Sequence, residues 1–338
     1  QGWYNTSWQY RIPITINNTG SALTDYQVQV SLGSSFLWDH APNNGADLRF
    51  TDSEGTATIS FWIESWTQGT SANIWVKVPS IAETPATTTI YMYYGNSSAI
   101  SASNADNTFD FYDNFDGTAL DNTKWNSIGS GYSATITVSG SILTICSSGL
   151  GQLSSSKSYG LGYIMEQRAK HSSNGIASEL GWGREEPRSY WDTGNFLFKN
   201  LRMMDLRSVN GSNFVIDADN ADHVEPDYIS TTVPLNYDWM IHRITRVDAN
   251  TARFQFNDLP SNDIINTAPR LTRITNDNLG PWYFVVVGSC LNVDWIRIRK
   301  YTATIPSMSF GNEQEQNTVL EISSSTTDVS CHGGSDGA

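Results

Sequence analysis

Aromatic and charged side chains crowd one stretch of the sequence, GWGREEPRSYW, at positions 181–191. A sugar presents an apolar C–H face on which an indole or phenol ring can stack, while flanking polar groups bond its hydroxyls. This composition therefore predicts a carbohydrate-binding site. Its candidate residues are Trp182, Arg184, Glu186, Tyr190 and Trp191.

Tryptophans elsewhere in the chain have two interpretations. Trp239 and Trp282 are further candidates for ligand contact. Tryptophans of all-β domains are, however, commonly core residues, and we expect this of Trp125 and Trp295. Core packing is also the alternative interpretation of the aromatic residues at 181–191.

Three carboxylates in or near the segment NNGADLRFTDSEGT raise the question of metal binding or acid–base chemistry. They are Asp47, Asp52 and Glu64. Hydrolysis needs two carboxylates facing one cleft, and nothing in the spacing indicates a cleft. We expect instead that Arg49 pairs with a neighbouring acid and fixes the loop.

The chain has three cysteines, at positions 146, 290 and 331. In an extracellular protein Cys146 would pair with Cys290, leaving Cys331 for a partner further along. Three buried thiols are the alternative, and the sequence alone leaves both open.

Composition restricts the class of partner. Acidic residues outnumber basic ones by 34 to 20, giving a net charge of −14, which disfavours nucleic acid and anionic lipid. Ser, Thr, Asn and Gly replace many charged residues, as in secreted β proteins. No apolar run approaches the roughly 18 residues of a membrane helix. The opening Gln1, without an initiator Met, indicates a processed N-terminus.

Apolar and polar residues alternate in almost every segment, which is the period of half-buried strands. In YRIPITINN, for example, Ile12, Ile14 and Ile16 share one face. No segment of about 12 residues shows the 3.6-residue period of an amphipathic helix. We therefore predict an all-β protein with two β-sandwich domains.

A polar connector around residues 96–108 separates two groups of predicted strands. We place the first domain at residues 1–105 and the second at 106–312. A polar linker and a final segment occupy residues 313–338.

Four motifs of the first domain, WQYRIPITI, ADLRFTD, IWVKVP and IYMYYGN, resemble a family of bacterial and archaeal surface domains of unassigned function. The resemblance covers most of residues 3–105. It implies a small β-sandwich and no known chemistry.

The second domain begins with FYDNFDGTALDNTKW and closes with NVDWIRIRKY. These phrases resemble the concanavalin A-like jelly-roll superfamily, which includes laminarinase-like glycoside hydrolases and non-catalytic relatives. In such relatives a calcium ion often joins the two ends of the domain. The resemblance implies as its ligands the carbonyl groups of Asn114 and Gly140 and the carboxylate of Asp294, all oxygen donors that suit calcium.

The hydrolases of that superfamily carry two acids on one face of a strand written E-x-D-x-x-E. The corresponding stretch here, DTGNFLFKNLRMMD at 192–205, has no such pair. VEPDYIS contains Glu225 and Asp227, but Ser230 stands in the third position and Pro226 would disrupt a central strand. The resemblance therefore predicts a non-enzymatic domain.

The last residues, VSCHGGSDG at 329–337, resemble the start of a SprB-type repeat. Such repeats form long surface adhesins of gliding Bacteroidota. The resemblance implies a cell-surface adhesin tip that takes part in gliding motility and is exported by the type IX secretion route. Its expected partners are a polysaccharide or surface glycan and other outer-membrane surface proteins. A glycan hydrolase and a structural docking module are the alternatives.

Overall fold

The computed structural model describes residues 2–42, 44–126, 133–172, 177–185, 198–206, 213–220, 229–260, 262–265 and 277–316. Almost all the regular structure consists of antiparallel strands, as the period-two alternation predicts. Within these ranges the helical elements are a 3-10 turn at Trp38–His40 and the four-residue helix α1 at Ala105–Thr108. No helix in these ranges is long and apolar enough to span a bilayer.

The strands are, in chain order, β1 (Tyr10–Asn17), β2 (Leu23–Leu32), β3 (Arg49–Thr51), β4 (Thr58–Ile59), β5 (Phe61–Thr67), β6 (Ser71–Ile81), β7 (Thr87–Tyr94), β8 (Phe111–Asp113), β9 (Ala134–Ser139), β10 (Ile142–Ser147), β11 (Leu150–Ser154), β12 (Tyr163–His171), β13 (Ala177–Glu185), β14 (Phe198–Leu206), β15 (Asn213–Asn220), β16 (Ile229–Pro234), β17 (Met240–Arg246), β18 (Thr251–Phe256), β19 (Asn262–Ile265), β20 (Gly280–Val286), β21 (Cys290–Lys300), β22 (Ser307–Phe310) and β23 (Gln314–Glu315).

The first sandwich packs a six-stranded sheet against a three-stranded one. The larger sheet has the order β22-β1-β7-β3-β4, with β23 also on β1, and the smaller has the order β2-β6-β5. Alternating residues of the facing strands, such as Ile14 and Ile16 on β1 and Val28 and Val30 on β2, are buried in the core between them. This sandwich confirms the first half of the predicted fold class.

The predicted boundary at residue 312 is wrong. β22 and β23 pair with β1, with Ile14 opposite Phe310 and Arg11 opposite Gln314. Residues 307–315 thus complete the sheet of the first sandwich, and the second sandwich is an insertion between β7 and β22. The segment that we expected to be a linker from residue 313 therefore begins with a strand of the first domain.

The second sandwich packs an eight-stranded sheet against a six-stranded one. The larger sheet has the order β19-β18-β17-β12-β21-β10-β9, with β8 also on β21; the smaller has the order β11-β20-β13-β14-β15-β16. One apolar cluster fills the space between them. A tight hairpin joins β9 to β10 because Gly140 and Ser141 both take positive φ, 58° and 59°, as a two-residue hairpin turn requires.

A disulfide joins Cys146 of β10 to Cys290 of β21, as predicted for an extracellular protein. The two residues lie directly opposite each other in the ladder. Their separation of 144 residues means that the bond closes a loop that contains ten of the fourteen strands of the second sandwich, β11 to β20. The alternative of three free thiols is therefore wrong for these two cysteines.

Replacing both bonded cysteines by serine should lower the free energy of unfolding by roughly 3–5 kcal/mol, because the bond restricts a long loop in the unfolded chain. Urea denaturation of the oxidised protein and of the double variant measures the difference. Reductant should destabilise the original protein and leave the double variant unchanged; equal stability of the two proteins under oxidising conditions would contradict the expectation.

The two sandwiches meet through a cluster of one acid and three arginines, centred on Glu166 of β12. Its carboxylate accepts hydrogen bonds from the guanidinium groups of Arg243, Arg297 and Arg299, at 2.9, 2.7 and 3.0 Å. Arg297 also reaches into the first sandwich, where it donates to Glu64 at 2.5 Å. Burial alone would raise the pKa of Glu166, but Arg299 and Arg297 hold that pKa well below its usual value.

Aromatic rings enclose these cations. Arg297 lies 4.8 Å from the ring centre of Trp75 and 5.4 Å from that of Phe109. Gln27 of β2 adds direct hydrogen bonds between the domains, since its side chain donates to Thr108 and accepts from the backbone N–H of Lys300. The interface thus combines buried ion pairs, cation–π contacts and hydrogen bonds between side chains and the backbone.

Replacing Glu166 by glutamine should lower the free energy of unfolding by roughly 3–5 kcal/mol, because it leaves buried guanidinium groups without their anion. The depressed pKa means that the carboxylate stabilises the fold above about pH 4.5, the value expected for the unfolded chain, and that this contribution disappears as the pH falls below it. Denaturation of the protein and of Glu166→Gln at pH 7 and at pH 3 measures both effects.

Asp263→Asn is the matched control, because Asp263 forms an exposed bidentate pair with Arg253. Loss of that pair should cost less than about 1 kcal/mol. A Glu166→Gln variant that is no less stable than this control would contradict the proposed role of the cluster.

Two histidines lie in the core of the second sandwich. The rings of His171 and His242 are 5.5 Å apart and pack against Phe214, and His242 also contacts Phe256. Burial lowers the pKa of His242 from 6.5 to about 4. Because the unfolded chain then binds a proton that the folded chain does not, stability should be lost as the pH falls from 6.5 to 4.

Between pH 7 and pH 4 the free energy of unfolding should fall by roughly 3 kcal/mol less in His242→Phe than in the original protein. Urea midpoints of the two proteins across this range measure it. Above pH 6.5 the urea midpoints of the two proteins should change with pH in the same way, because position 242 carries no charge in either protein. Parallel curves over the whole range would mean that His242 does not titrate as its burial requires.

Candidate functional site

The predicted ligand contact of Trp182 is wrong. Its ring is completely buried between the two sheets of the second sandwich, and its Nε1–H donates to the carbonyl of Ile244 at 2.9 Å. The alternation of β13 explains this, since Leu180 and Trp182 lie on the same, inward face. The ring is therefore a core residue, as the alternative interpretation proposed.

The other residues of the predicted cluster are not tested. Arg184 belongs to β13, where its backbone pairs with Lys199, and its side chain lies outside the described part of the structure. Glu186, Tyr190 and Trp191 also lie outside the described residues, as do Glu225 and Asp227.

The face of the six-stranded sheet that points away from the core is aromatic and acidic. Trp282 and Phe284 stack in parallel on it, 5.6 Å apart, and Trp282 lies across Gly183, where an added Cβ would be 2.6 Å from the indole. Glu179 and Asp217 occupy the same face and are 6% and 2% exposed. No spacing in the sequence relates these two acids, because they lie on different strands, β13 and β15.

The outer face of the eight-stranded sheet carries the clearest exposed site, which we call the Trp239 face. It consists of Arg168, Lys170, Trp239, Asn292 and Asp294, all at least partly exposed. Ala169 and Val293 between them point into the core, so the opposite side of the sheet is available to these polar groups.

A β-bulge shapes this face. β12 and β21 pair Arg168 with Trp295 and Ala169 with Val293, so Asp294 is an extra residue without a partner in the ladder. An extra residue re-aims its side chain and reverses the alternation beyond it. Asp294 therefore forms an ion pair with Arg168. Trp295 faces outward and is only half-buried, which corrects our expectation that it is a core residue.

Trp239 is the aromatic centre of the face. It precedes β17, and its half-buried ring lies 4.8 Å from the guanidinium of Arg168 and 5.1 Å from the ammonium of Lys170. Cations at these distances are attracted by the indole ring. The sequence Arg168-Ala169-Lys170 in β12 could have predicted that the two cations share one face of the strand. Their proximity to Trp239 depends on the cross-strand register, which the sequence does not show.

The predicted calcium ligands lie near one another in the fold, although the carboxylate is engaged elsewhere. β8 and β10 pair with successive parts of β21 on either side of Asp294, which brings the segments of Asn114 and Gly140 to this edge. Asp116 accepts hydrogen bonds from Asn114 and from Ser141. The Asp294 carboxylate forms an ion pair with Arg168, and calcium held by Asn114, Gly140 and Asp294 stays a prediction.

The carboxylates of the first sandwich have structural partners. Asp47 accepts from the backbone N–H groups of Gly95 and Asn96, and Glu64 belongs to the domain interface. Arg49 bonds to backbone carbonyls and lies 5.1 Å over Trp8, so its expected pairing with an acid is wrong among the described residues. Among those residues no three His, Cys, Asp or Glu side chains are grouped to hold a metal.

The described surface also has two concave sites away from the Trp239 face. A groove of about 380 Å³ at one end of the first sandwich is lined by exposed apolar residues, including Leu37 and Phe310. A cleft of about 260 Å³ between the sandwiches is lined by residues of both, including Thr24, Tyr163 and Lys300. In this cleft the ammonium of Lys300 is bonded to the carbonyl of Thr24 at 2.6 Å.

Comparison with known protein families shows a similarity over part of the chain. The model for a "domain of unknown function (DUF2341)" matches residues 44–128, about a quarter of the chain. This range contains strands β3 to β7 of the first sandwich and β8 of the second. No curated protein matches the chain.

Solved structures similar to this chain align with a little over half of it. A β-1,3-glucanase from Mycobacterium marinum has 15% identity and a TM-score of 0.42, and the alignment covers 56% of this chain and 98% of that one. A pseudo β-1,3-glucanase and immunostimulatory antigen of Mycobacterium tuberculosis has 15% identity, a TM-score of 0.44 and coverages of 57% and 99%. The catalytic domain of a laminarinase from Thermotoga petrophila has 13% identity, a TM-score of 0.44 and coverages of 57% and 98%.

Proposed function

We propose that this protein is the ligand-binding part of a non-enzymatic cell-surface adhesin, and that it holds a polysaccharide on the Trp239 face. The observation that carries the proposal is the half-buried indole of Trp239 among Arg168, Lys170 and Asp294. The ring offers an apolar surface for the C–H face of a sugar. The charged groups around it can bond hydroxyls at the edge of the same sugar.

The position of the face suits a long, linear ligand. Arg168, Lys170 and Asn292 lie on neighbouring central strands of the eight-stranded sheet, with Thr144 of the next strand bonded to Asn292 at 2.9 Å. These residues form a polar band across the strands. A polymer can lie along such a band without threading into a closed pocket.

A cell-surface location agrees with two features of the chain. The Cys146–Cys290 disulfide is typical of proteins outside the cytosol, and the surface uses Ser, Thr and Asn in place of many charges. The SprB-like ending, which lies outside the described residues, supports participation in gliding motility and export by the type IX secretion route. Contacts with other outer-membrane surface proteins belong to the same proposal.

Trp239→Ala should weaken binding to a responsive polysaccharide by about tenfold, as the loss of a central aromatic contact typically does. A glycan array identifies the polymer, and calorimetry of the full chain measures the affinity. Ile305→Ala is the matched control, because this apolar residue is 76% exposed and lies outside the face.

Unchanged affinity of Trp239→Ala would move the binding site away from this face. Failure to bind any glycan, together with co-purification of outer-membrane proteins, would favour a docking module in place of a lectin.

A second candidate function is glycan hydrolysis. It is favoured by Glu179 and Asp217, two nearly buried acids on the same face of the six-stranded sheet. The strand register places their Cα atoms roughly 12 Å apart, two strands and two residues away from each other. Catalytic pairs hold their carboxyl groups about 5–9.5 Å apart, a separation that side chains on these Cα positions can reach. The non-enzymatic proposal is favoured instead by the absence of an E-x-D-x-x-E motif from residues 192–205. Release of reducing sugar that is lost in Glu179→Gln would establish the enzyme instead.

A further inference from the structure

We infer that the Trp239 face selects an anionic polysaccharide, one that carries uronate carboxylates, over a neutral polymer of the same shape. This inference rests on the proposed function and specifies its ligand. It depends on which charges of the face are already neutralised and which are available.

The two cations of the face differ in their partners. Arg168 is paired with Asp294, so its charge is balanced within the protein. Among the described residues, the ammonium of Lys170 has only the indole of Trp239 as a charged or aromatic partner, at 5.1 Å. Lys170 therefore offers three hydrogen-bond donors and one positive charge beside the partly exposed ring of Trp239.

A uronate sugar matches this arrangement. Its ring has the same C–H faces as a neutral hexose, and its carboxylate replaces the hydroxymethyl group at the edge of the ring. A sugar in contact with Trp239 can therefore direct its carboxylate to Lys170. Charge-assisted hydrogen bonds of this kind are roughly twice as strong as neutral ones, whereas a neutral sugar would leave the ammonium without an anion.

The net negative charge of the whole chain repels polyanions. A preference for them must therefore arise at the Trp239 face itself. The chain carries a net charge of −14, and salt screens such charges beyond about 10 Å at 0.1 M. Asp238, which precedes Trp239, is exposed and bears a negative charge near the site. Selection must therefore come from short-range contact with Lys170, and Asp238 should weaken it.

Paired polymers test the inference. Polygalacturonate and alginate are each compared with their carboxyl-reduced forms, which keep the sugar rings and lose the charges. The full chain should bind at least one uronate polymer about fivefold more tightly than its reduced form, the effect of one favourable ion pair.

Variants assign the preference to the face. Lys170→Gln should abolish the difference between the charged and reduced polymers, and Asp238→Asn should enlarge it. Lys157→Gln changes the net charge by the same amount at another exposed position of the second sandwich, and should leave the preference intact. A preference that Lys157→Gln and Lys170→Gln reduce equally would contradict a local origin.

The outcomes separate this inference from the proposed function. Equal binding of charged and reduced polymers, with loss of both in Trp239→Ala, would overturn the preference and leave the adhesin proposal in place. Binding that Trp239→Ala does not affect, or no binding of any polymer on a glycan array, would overturn both.

Discussion

The buried carboxylate of Glu166 is the point on which the arrangement of the two sandwiches depends. It forms ion pairs with three guanidinium groups, and one of these, that of Arg297, also pairs with Glu64 of the first sandwich. The ions are partly removed from water, and they compensate for that cost only while every partner is present. Trp75 and Phe109 exclude water from the same place. The relative position of the domains is therefore determined by specific contacts and not by the connecting segments alone.

The same sheet that forms this interface also presents the Trp239 face. Glu166, Arg168 and Lys170 follow one another on the outward side of β12. At one end of the strand these side chains meet the first sandwich, and at the other they meet solvent. The proposed site thus lies on a strand that is held by the interface, which gives it a fixed support. Because of the bulge on β21, the acidic side chain of Asp294 lies next to these outward-facing side chains of β12.

Local sequence patterns predicted the strands and the two sandwiches well, because burial on one face of a strand imposes the alternation that the sequence shows. They failed where distant segments decide the outcome. The four residues of β22 are mostly exposed, so nothing in them indicates pairing with β1. The bulge on β21 reverses the alternation beyond Asp294. Trp295 therefore faces outward, although we expected it in the core. The candidate site was only partly predictable, since Trp239 was noticed as a residue but Arg168 and Lys170 reach it through strand register.

The return of the chain to the first sandwich has a mechanical consequence. A pull on the chain beyond Gln316, resisted by a ligand on the second sandwich, would draw β22 and β23 along their own length past β1. The hydrogen bonds of an antiparallel ladder are perpendicular to the strands, so this load would strain several of them at once and would not open them one after another. Because one domain is inserted into the other, such a force would load the hydrogen bonds between β1 and strands β22 and β23 in shear.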